Sequence, residues 1–142
     1  MKTLDQANFH KVKNLFDNIS FNLAIDSILS GNTRGKVFVD NNEKPETALL
    51  WNEITEIFIA GKVTEDIIEK IKVLIKDELI PSAKERYIPG FNIYYSKSIW
   101  KKIIKEIFNS YEMKTINRAY YKFNKQKDND YNKIPENINL KH

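Results

Sequence analysis

Residues 36–61 read KVFVDNNEKPETALLWNEITEIFIAG, and they set the architecture of the chain. β-Branched and aromatic side chains dominate three short segments of this stretch, Lys36–Asp40, Thr47–Trp51 and Ile54–Ala60, and polar turns separate them. Strands that are joined by such short turns pair as antiparallel neighbours. The stretch therefore predicts a three-stranded meander that Gly61 closes.

Apolar residues at helical spacing occur before and after this meander in the sequence. Residues 4–16 predict an amphipathic helix. A second helix is predicted after it, with Ser20 as its N-cap and Gly31 at its end. After the meander, residues 64–79 predict a third helix, which Pro81 stops. The helical segments supply apolar faces that can cover the sheet.

The second half of the chain adds a loop over 82–90, a strand over Phe91–Tyr95, a helix that Ser96 or Ser98 caps, and a fifth strand over Thr115–Phe123. The predicted order is α-α-β-β-β-α-β-α-β. The helical crossover between the third and fourth strands makes those two strands parallel. We therefore expect an α/β fold, a mixed sheet with helices on both faces.

With 142 residues and 16.7 kDa, the chain has room for one ordinary domain. We assign residues 1–124 to it. Residues 125–142 begin with the composition of a polar linker, and Ile134–Leu140 then regains apolar residues, as the start of a possible second domain would.

The composition excludes several classes of site. The chain has no cysteine and only two histidines, His10 and His142, so we expect no disulfide, no thiol nucleophile and no metal site. No apolar run is long enough to span a bilayer, and residues 1–13 are too polar for a signal peptide, so we expect a cytoplasmic protein with no membrane contact.

The charge is unevenly distributed. Residues 1–80 carry 10 basic and 13 acidic side chains, net −3, whereas residues 81–142 carry 13 basic and 6 acidic ones, net +7. Either an anionic partner or a solvated lysine face explains this asymmetry. Aromatic and basic residues alternate over Arg118–Phe123, but no base-reading motif accompanies them, so the sequence does not favour nucleic-acid binding.

Two groups of residues resemble chemical sites. Gly31–Val37 looks like a phosphate-binding loop, but only three residues separate its glycines and a strand follows it, so a helix-ending turn explains it better. Glu53 and Glu56 flank the start of the third strand, where a carboxylate with a raised pKa can act as a general base. A solvated turn explains the same two carboxylates without chemistry.

The segment GNTRGKVFVDNNEKPETALLW, Gly31–Trp51, resembles the GNAT acetyltransferases, and within them the zwittermicin-resistance-type branch. FNIYYSKSIWKKIIKEIF and NRAYYKF in the second half are similar to the same branch, and the resemblance covers residues 10–125. The resemblance implies a GNAT-like fold. It also implies that this chain is an amino-terminal domain and that a second acyltransferase domain comes after it.

The resemblance also implies a cofactor, acetyl-CoA, whose pyrophosphate binds the loop between the fourth family strand and the next helix. Here the corresponding candidates are Ile59, Ala60, Gly61 and Lys62. This loop departs from the family's glycine pattern, and Glu65–Asp66 place negative charge in the first helical turn, where a pyrophosphate would be repelled. We therefore expect that this chain alone does not bind acetyl-CoA.

The implied reaction of the full-length protein is acetyl transfer from acetyl-CoA to an amine. Such a reaction needs a carboxylate or an ordered water to take the amine proton, and a tyrosine to protonate the thiolate. The candidates by residue type are Glu53, Glu56 and Tyr121. A non-catalytic scaffold or substrate-cleft module is the alternative. The expected partner is a second GNAT domain or a second copy of the chain.

Overall fold

A five-stranded mixed sheet with helical layers on both faces forms the part of the chain that the computed structural model describes, residues 1–117. In chain order the elements are β1 (Lys2–Thr3), a 3₁₀ helix (Gln6–Ile19), α1 (Leu23–Leu29), β2 (Lys36–Val39), β3 (Thr47–Trp51), β4 (Glu56–Gly61), α2 (Glu65–Leu74), a π-helical turn (Ile75–Leu79), α3 (Ile80–Glu85), β5 (Asn92–Tyr95) and α4 (Ile99–Ile107).

The strands lie in the sheet in their sequence order. β1 to β4 are antiparallel to their neighbours, and β5 pairs in parallel with β4. Both the meander and the parallel crossover that the sequence predicts are therefore confirmed. The meander forms because each turn is short and because all five residues of β3 are buried between two layers.

Alternate strand residues face two separate cores. One face packs against α2, the π turn and α4, and its strand residues are Phe38, Leu49, Trp51, Ile57 and Ile59. The other face packs against the 3₁₀ helix and α1, and its strand residues are Val37, Val39, Ala48, Leu50, Phe58 and Ala60. Successive side chains of a strand point to opposite faces, so a sheet that is covered on both sides buries every residue of its central strands.

The amino-terminal segment differs from the predicted helix over residues 4–16. β1 precedes it, and the helical segment is a 3₁₀ helix that extends to Ile19. The N–H of Leu4 donates to the Val37 carbonyl at 2.8 Å, so Leu4 belongs to the sheet edge and cannot start a helix. The spacing of apolar residues within this segment does not predict the pairing of β1 with β2, because β2 is distant in the sequence.

The helix after β4 does not stop at Pro81. The chain passes through the π turn into α3, and Pro81 lies in the first turn of α3. A proline there lacks only an N–H that a helix start leaves unpaired. The widened π turn before it resets the hydrogen-bond ladder, and the predicted loop over 82–90 therefore begins only after Glu85.

Two further expectations concern the end of the described region. Ser98 precedes α4 but its side chain makes no capping hydrogen bond, and the Ser96 hydroxyl has no partner among the described residues, so neither serine caps α4 as predicted. Of the predicted strand Thr115–Phe123, residues 115–117 have no regular structure and the rest lies outside the described residues. Residues 125–142, the predicted linker and second-domain start, also lie outside them.

Candidate functional site

At its carboxyl end, β4 extends two residues beyond its pairing with β5. Their parallel pairing ends at Ile59 and Tyr95, and the Ser96 N–H donates to the Ile59 carbonyl at 3.0 Å. β4 continues through Ala60 and Gly61, which pair with β3 and have no counterpart in β5. We call the region formed by Ile59–Gly61 and Tyr95–Ser96 the β4–β5 fork. Open α/β sheets bind ligands beyond the carboxyl ends of parallel strands, so the fork is the candidate site.

Contacts with β3 fix the loop that leaves β4. Gly61 has a φ of +107°, and a Cβ there would overlap the Glu46 carbonyl oxygen. The Lys62 N–H donates to the same carbonyl at 2.9 Å, and the buried Thr47 hydroxyl donates to the Lys62 carbonyl at 2.7 Å. Close approach to β3 thus explains the glycine without any ligand.

The four predicted cofactor residues have very different surroundings. Ile59 and Ala60 are fully buried and point into opposite cores, and Gly61 is buried against β3. Lys62 is exposed and pairs with exposed Glu46 at 3.5 Å. Exposed pairs of this length stabilise little, so the Lys62 side chain can leave Glu46 for another anion.

The first turn of α2 follows the fork and is negatively charged. The Thr64 hydroxyl caps the helix by accepting from the Ile67 N–H at 3.3 Å. Glu65 and Asp66 are exposed in this turn, and Asp66 pairs with Lys70 at 2.6 Å. Their carboxylates already interact with the positive end of the helix dipole and repel a second anion. A pyrophosphate therefore does not fit this helix start.

The amino terminus of the chain lies near the same helix. The pKa of the Met1 amino group is lowered, mainly by burial and further by the nearby charge of Lys70. The carboxylate of Asp66 raises this pKa in part. A lowered pKa leaves the amine less protonated near neutral pH than a free amine. The amino terminus is thus a weak counter-charge to the acidic turn of α2.

Two buried polar groups follow the end of β5. The Ser96 hydroxyl and the indole N–H of Trp100 are both buried and have no hydrogen-bond partner among residues 1–117. Trp100 is 0% exposed and packs in the core beside α2. Leaving a buried donor unpaired costs about 1–3 kcal/mol, and native proteins contain few such groups. Here two of them lie within five residues of each other, and Ser96 belongs to the fork.

Glu53 and Glu56 lie at the opposite end of β4. The Asn52 side-chain oxygen accepts from the N–H groups of Ile54 and Glu56, each at 2.9 Å, and its amide donates to the Glu56 carboxylate at 3.2 Å. Glu53 has a φ of +59°, the left-handed conformation of a tight turn. Since β4 rises about 3.3 Å per residue, Glu56 is about 17 Å from Gly61. The structure therefore does not bring these carboxylates to the fork.

The remaining catalytic candidate, Tyr121, lies outside the described residues. Sequence reasoning did not identify Ser96 and Trp100 as buried donors without partners, because a serine before a helix resembles a cap and a tryptophan on an apolar stripe resembles core. No local signal shows whether a buried donor finds a partner.

Residues 1–117 contain neither a cluster of metal-binding side chains nor a helix that could span a membrane. No group of three or more His, Asp or Glu side chains lies close enough to hold a metal ion. None of the helices in this part of the chain is long and apolar enough to cross a membrane.

Comparison with known proteins agrees with the fold. The family model described as GNAT acetyltransferase matches residues 13–142. A search of curated proteins finds no match. Because the family model covers most of the chain, and because the mixed sheet with its parallel β4–β5 pair is the fold expected from the resemblance, the chain belongs to the GNAT acetyltransferase family.

Proposed function

We propose that this protein takes part in acetyl transfer from acetyl-CoA to an amine, and that the β4–β5 fork receives the acyl-carrying arm of the cofactor. Membership of the acetyltransferase family supports the reaction class. The observation that carries the assignment to the fork is the pair of unpartnered buried donors, Ser96 Oγ and Trp100 Nε1. The arm of acetyl-CoA presents amide and thioester carbonyl oxygens, which accept hydrogen bonds from such donors.

The nucleotide end of the cofactor has a weaker site in this chain. Glu65 and Asp66 place two carboxylates where the first helical turn of α2 would otherwise attract a pyrophosphate. Exposed Lys62 offsets only part of this charge. The described residues therefore suit the arm of acetyl-CoA and not its diphosphate, and we propose that the chain alone binds the whole cofactor weakly.

We also propose that the chain belongs to the zwittermicin-resistance-type branch and that a partner completes the site. That partner is a second GNAT domain of the same protein or a second copy of this chain. Acetyl transfer requires a base for the amine and an acid for the thiolate. Glu53 and Glu56 are remote from the fork, so these groups come from other residues or from the partner.

A non-catalytic scaffold is the second candidate, and the acidic start of α2 favours it. In that case the fork would be a remnant, and the two buried donors would bind water. The two functions differ in what they predict for small acyl thioesters.

Calorimetric titration of the full chain at low salt separates these possibilities, with acetyl-CoA and acetyl-pantetheine as the two probes. Acetyl-pantetheine carries the thioester arm without the diphosphate and the nucleotide. We expect both probes to bind weakly, and Ser96→Ala to weaken each by about fivefold, which is the loss of one hydrogen bond. Binding of neither probe would support the scaffold.

Charge variants test the acidic turn. The double substitution Glu65→Gln/Asp66→Asn should tighten acetyl-CoA by about tenfold and leave acetyl-pantetheine unchanged. Glu69→Gln is the matched control, because Glu69 is an exposed acid one turn further along α2. A micromolar dissociation constant for acetyl-CoA in the unmodified chain, lost on substitution within Gly61–Thr64, would contradict the weak nucleotide site.

A further inference from the structure

The amino end of β4 borders a surface that the candidate site does not use. Trp51, at the end of β3, is fully buried, and its indole N–H donates to the Ile54 carbonyl at 3.4 Å. The guanidinium of Arg86, the residue after α3, lies over the same ring, 5.6 Å from its centroid. Trp51 thus brings the β3–β4 turn and the end of α3 together. We call Glu53, Ile54, Arg86 and Tyr87 the Tyr87 patch.

The Tyr87 patch exposes large side chains of the kind that protein interfaces bury. The side chain of Ile54 is 58% exposed, that of Tyr87 is 93% exposed, and Arg86 is also exposed. Tyrosine and arginine are enriched among the residues that contribute most to binding at interfaces. Because Tyr87 touches almost nothing in its own chain, burial against a partner would remove a large apolar area from water.

Backbone strain is concentrated in the same patch. Within residues 1–117, Glu53 and Tyr87 are the two residues other than glycine with a positive φ, +59° and +55°. This conformation is unfavourable for a side chain as bulky as tyrosine. The exposed ring of Tyr87 makes too little contact within the chain to offset the strain, whereas contact with another molecule would offset it.

The charges of the Tyr87 patch are complementary to those of a second copy of the same patch. Arg86 pairs with no carboxylate in residues 1–117, and Glu53 pairs with no cation there. A two-fold interface makes each contact twice, so Arg86 of each copy can meet Glu53 of the other. A purely acidic or purely basic partner would pair with only one of these two charges.

We propose that a second copy of this chain docks on the Tyr87 patch, in a two-fold dimer that pairs Arg86 with Glu53 and packs Tyr87 against Ile54. An interface centred on so few side chains is small, so we expect a dissociation constant of about 10–100 µM. The patch adjoins the amino end of β4, about 17 Å from Gly61. The dimer therefore leaves the β4–β5 fork open.

Sedimentation equilibrium of the full chain tests the proposal through two charge reversals. Arg86→Glu and Glu53→Arg should each weaken the dimer by at least about tenfold, because each sets like charges against each other at both contacts. An equal mixture of the two variants should form a dimer with nearly the original affinity, because the mixed pair restores opposite charges at both contacts.

Tyr87→Gly separates docking from folding. Glycine relieves the strain at φ +55°, so the variant should resist urea at least as well as the unmodified chain. It should nevertheless weaken the dimer by about tenfold, since it removes the aromatic ring. This variant tests the proposal even where a charge reversal prevents folding.

The matched controls make the same charge changes at the other end of the sheet. Glu43 and Lys44 are exposed in the turn between β2 and β3. Glu43→Arg and Lys44→Glu should change the dissociation constant by less than about twofold, because salt screens charges that are remote from the interface.

Three results would overturn the proposal. The first is a chain that stays monomeric above about 100 µM. The second is a dimer that Tyr87→Gly does not weaken, and the third is a mixture of folded Arg86→Glu and Glu53→Arg variants that fails to associate. The measurement uses neither acetyl-CoA nor activity, so its outcome does not depend on the proposed function.

Discussion

The two ends of β4 differ in whether their polar groups have hydrogen-bond partners. At the amino end, the Asn52 side chain satisfies the N–H groups of the turn and also donates to Glu56. At the carboxyl end, Ser96 Oγ of the β4–β5 fork and Trp100 Nε1 of the nearby α4 are buried without a partner in the described region. The amino end contains the residue types that suggest catalysis, yet its hydrogen bonds serve the turn. Hydrogen-bond satisfaction therefore separates the two ends of β4, and residue type alone does not.

Gly61→Ala should have the largest effect, because it acts where β4 enters the fork. The substitution puts a Cβ onto the Glu46 carbonyl at a backbone φ of +107°. Steric overlap together with a conformation that only glycine adopts easily should cost about 3–5 kcal/mol in the free energy of unfolding, measured with urea.

Gly90→Ala is the matched control for this substitution. A Cβ at Gly90 meets nothing within 4 Å, so the free energy of unfolding should change by less than about 1 kcal/mol. Equal losses in the two variants would contradict the role assigned to β3 in shaping the fork.

Thr47→Val tests the next contact at the same end. It keeps the shape of a fully buried side chain but removes the hydroxyl that donates to the Lys62 carbonyl at 2.7 Å. We expect a loss of about 2 kcal/mol in the free energy of unfolding, since the hydrogen bond is partly buried and the Lys62 carbonyl loses its donor. Thr47→Ser keeps the hydroxyl and should lose less; a larger loss for serine would show that methyl packing dominates.

Asn52→Ala tests the amino end of β4. It removes the acceptor of two backbone N–H groups in a partly exposed turn, and water can replace part of what is lost. We expect a loss of about 1 kcal/mol by urea denaturation. Asn32→Ala, an exposed loop asparagine, is the control and should change stability by less than about 0.5 kcal/mol. Weaker binding of acetyl-pantetheine by Asn52→Ala would mean that the two ends are not independent.

Glu53→Gly should have the smallest effect and the opposite sign. Glu53 has a φ of +59°, where a side chain other than glycine is strained by about 1 kcal/mol, and the flexibility of glycine in the unfolded chain cancels part of the gain. We expect a stabilisation of about 0.5 kcal/mol with unchanged acetyl-pantetheine affinity. A loss of acetyl-transfer activity without a loss of stability would restore Glu53 as a catalytic candidate.

Much of the sheet could be predicted from local patterns. The β3 bounds, Thr47–Trp51, coincide with the predicted segment, because five apolar or β-branched residues between polar turns have few other conformations. The parallel pairing of β5 followed from the helical crossover before it. The extended helix through Pro81 could not be predicted, because the π turn that accommodates the proline depends on packing against the sheet.

The features of the candidate site also fall into those that depend on local sequence and those that depend on tertiary contacts. The sequence by itself determined the α/β class, the meander, the family resemblance and the acidic first turn of α2, since each depends on neighbouring residues and their spacing. Only the tertiary structure decided that Gly61 serves a contact with Glu46, that Glu53 and Glu56 lie at the end of β4 remote from the fork, and that Ser96 and Trp100 are buried without partners. The physical reason is that burial and hydrogen-bond satisfaction depend on residues distant in the chain, which meet only when the sheet and its helical layers close around them.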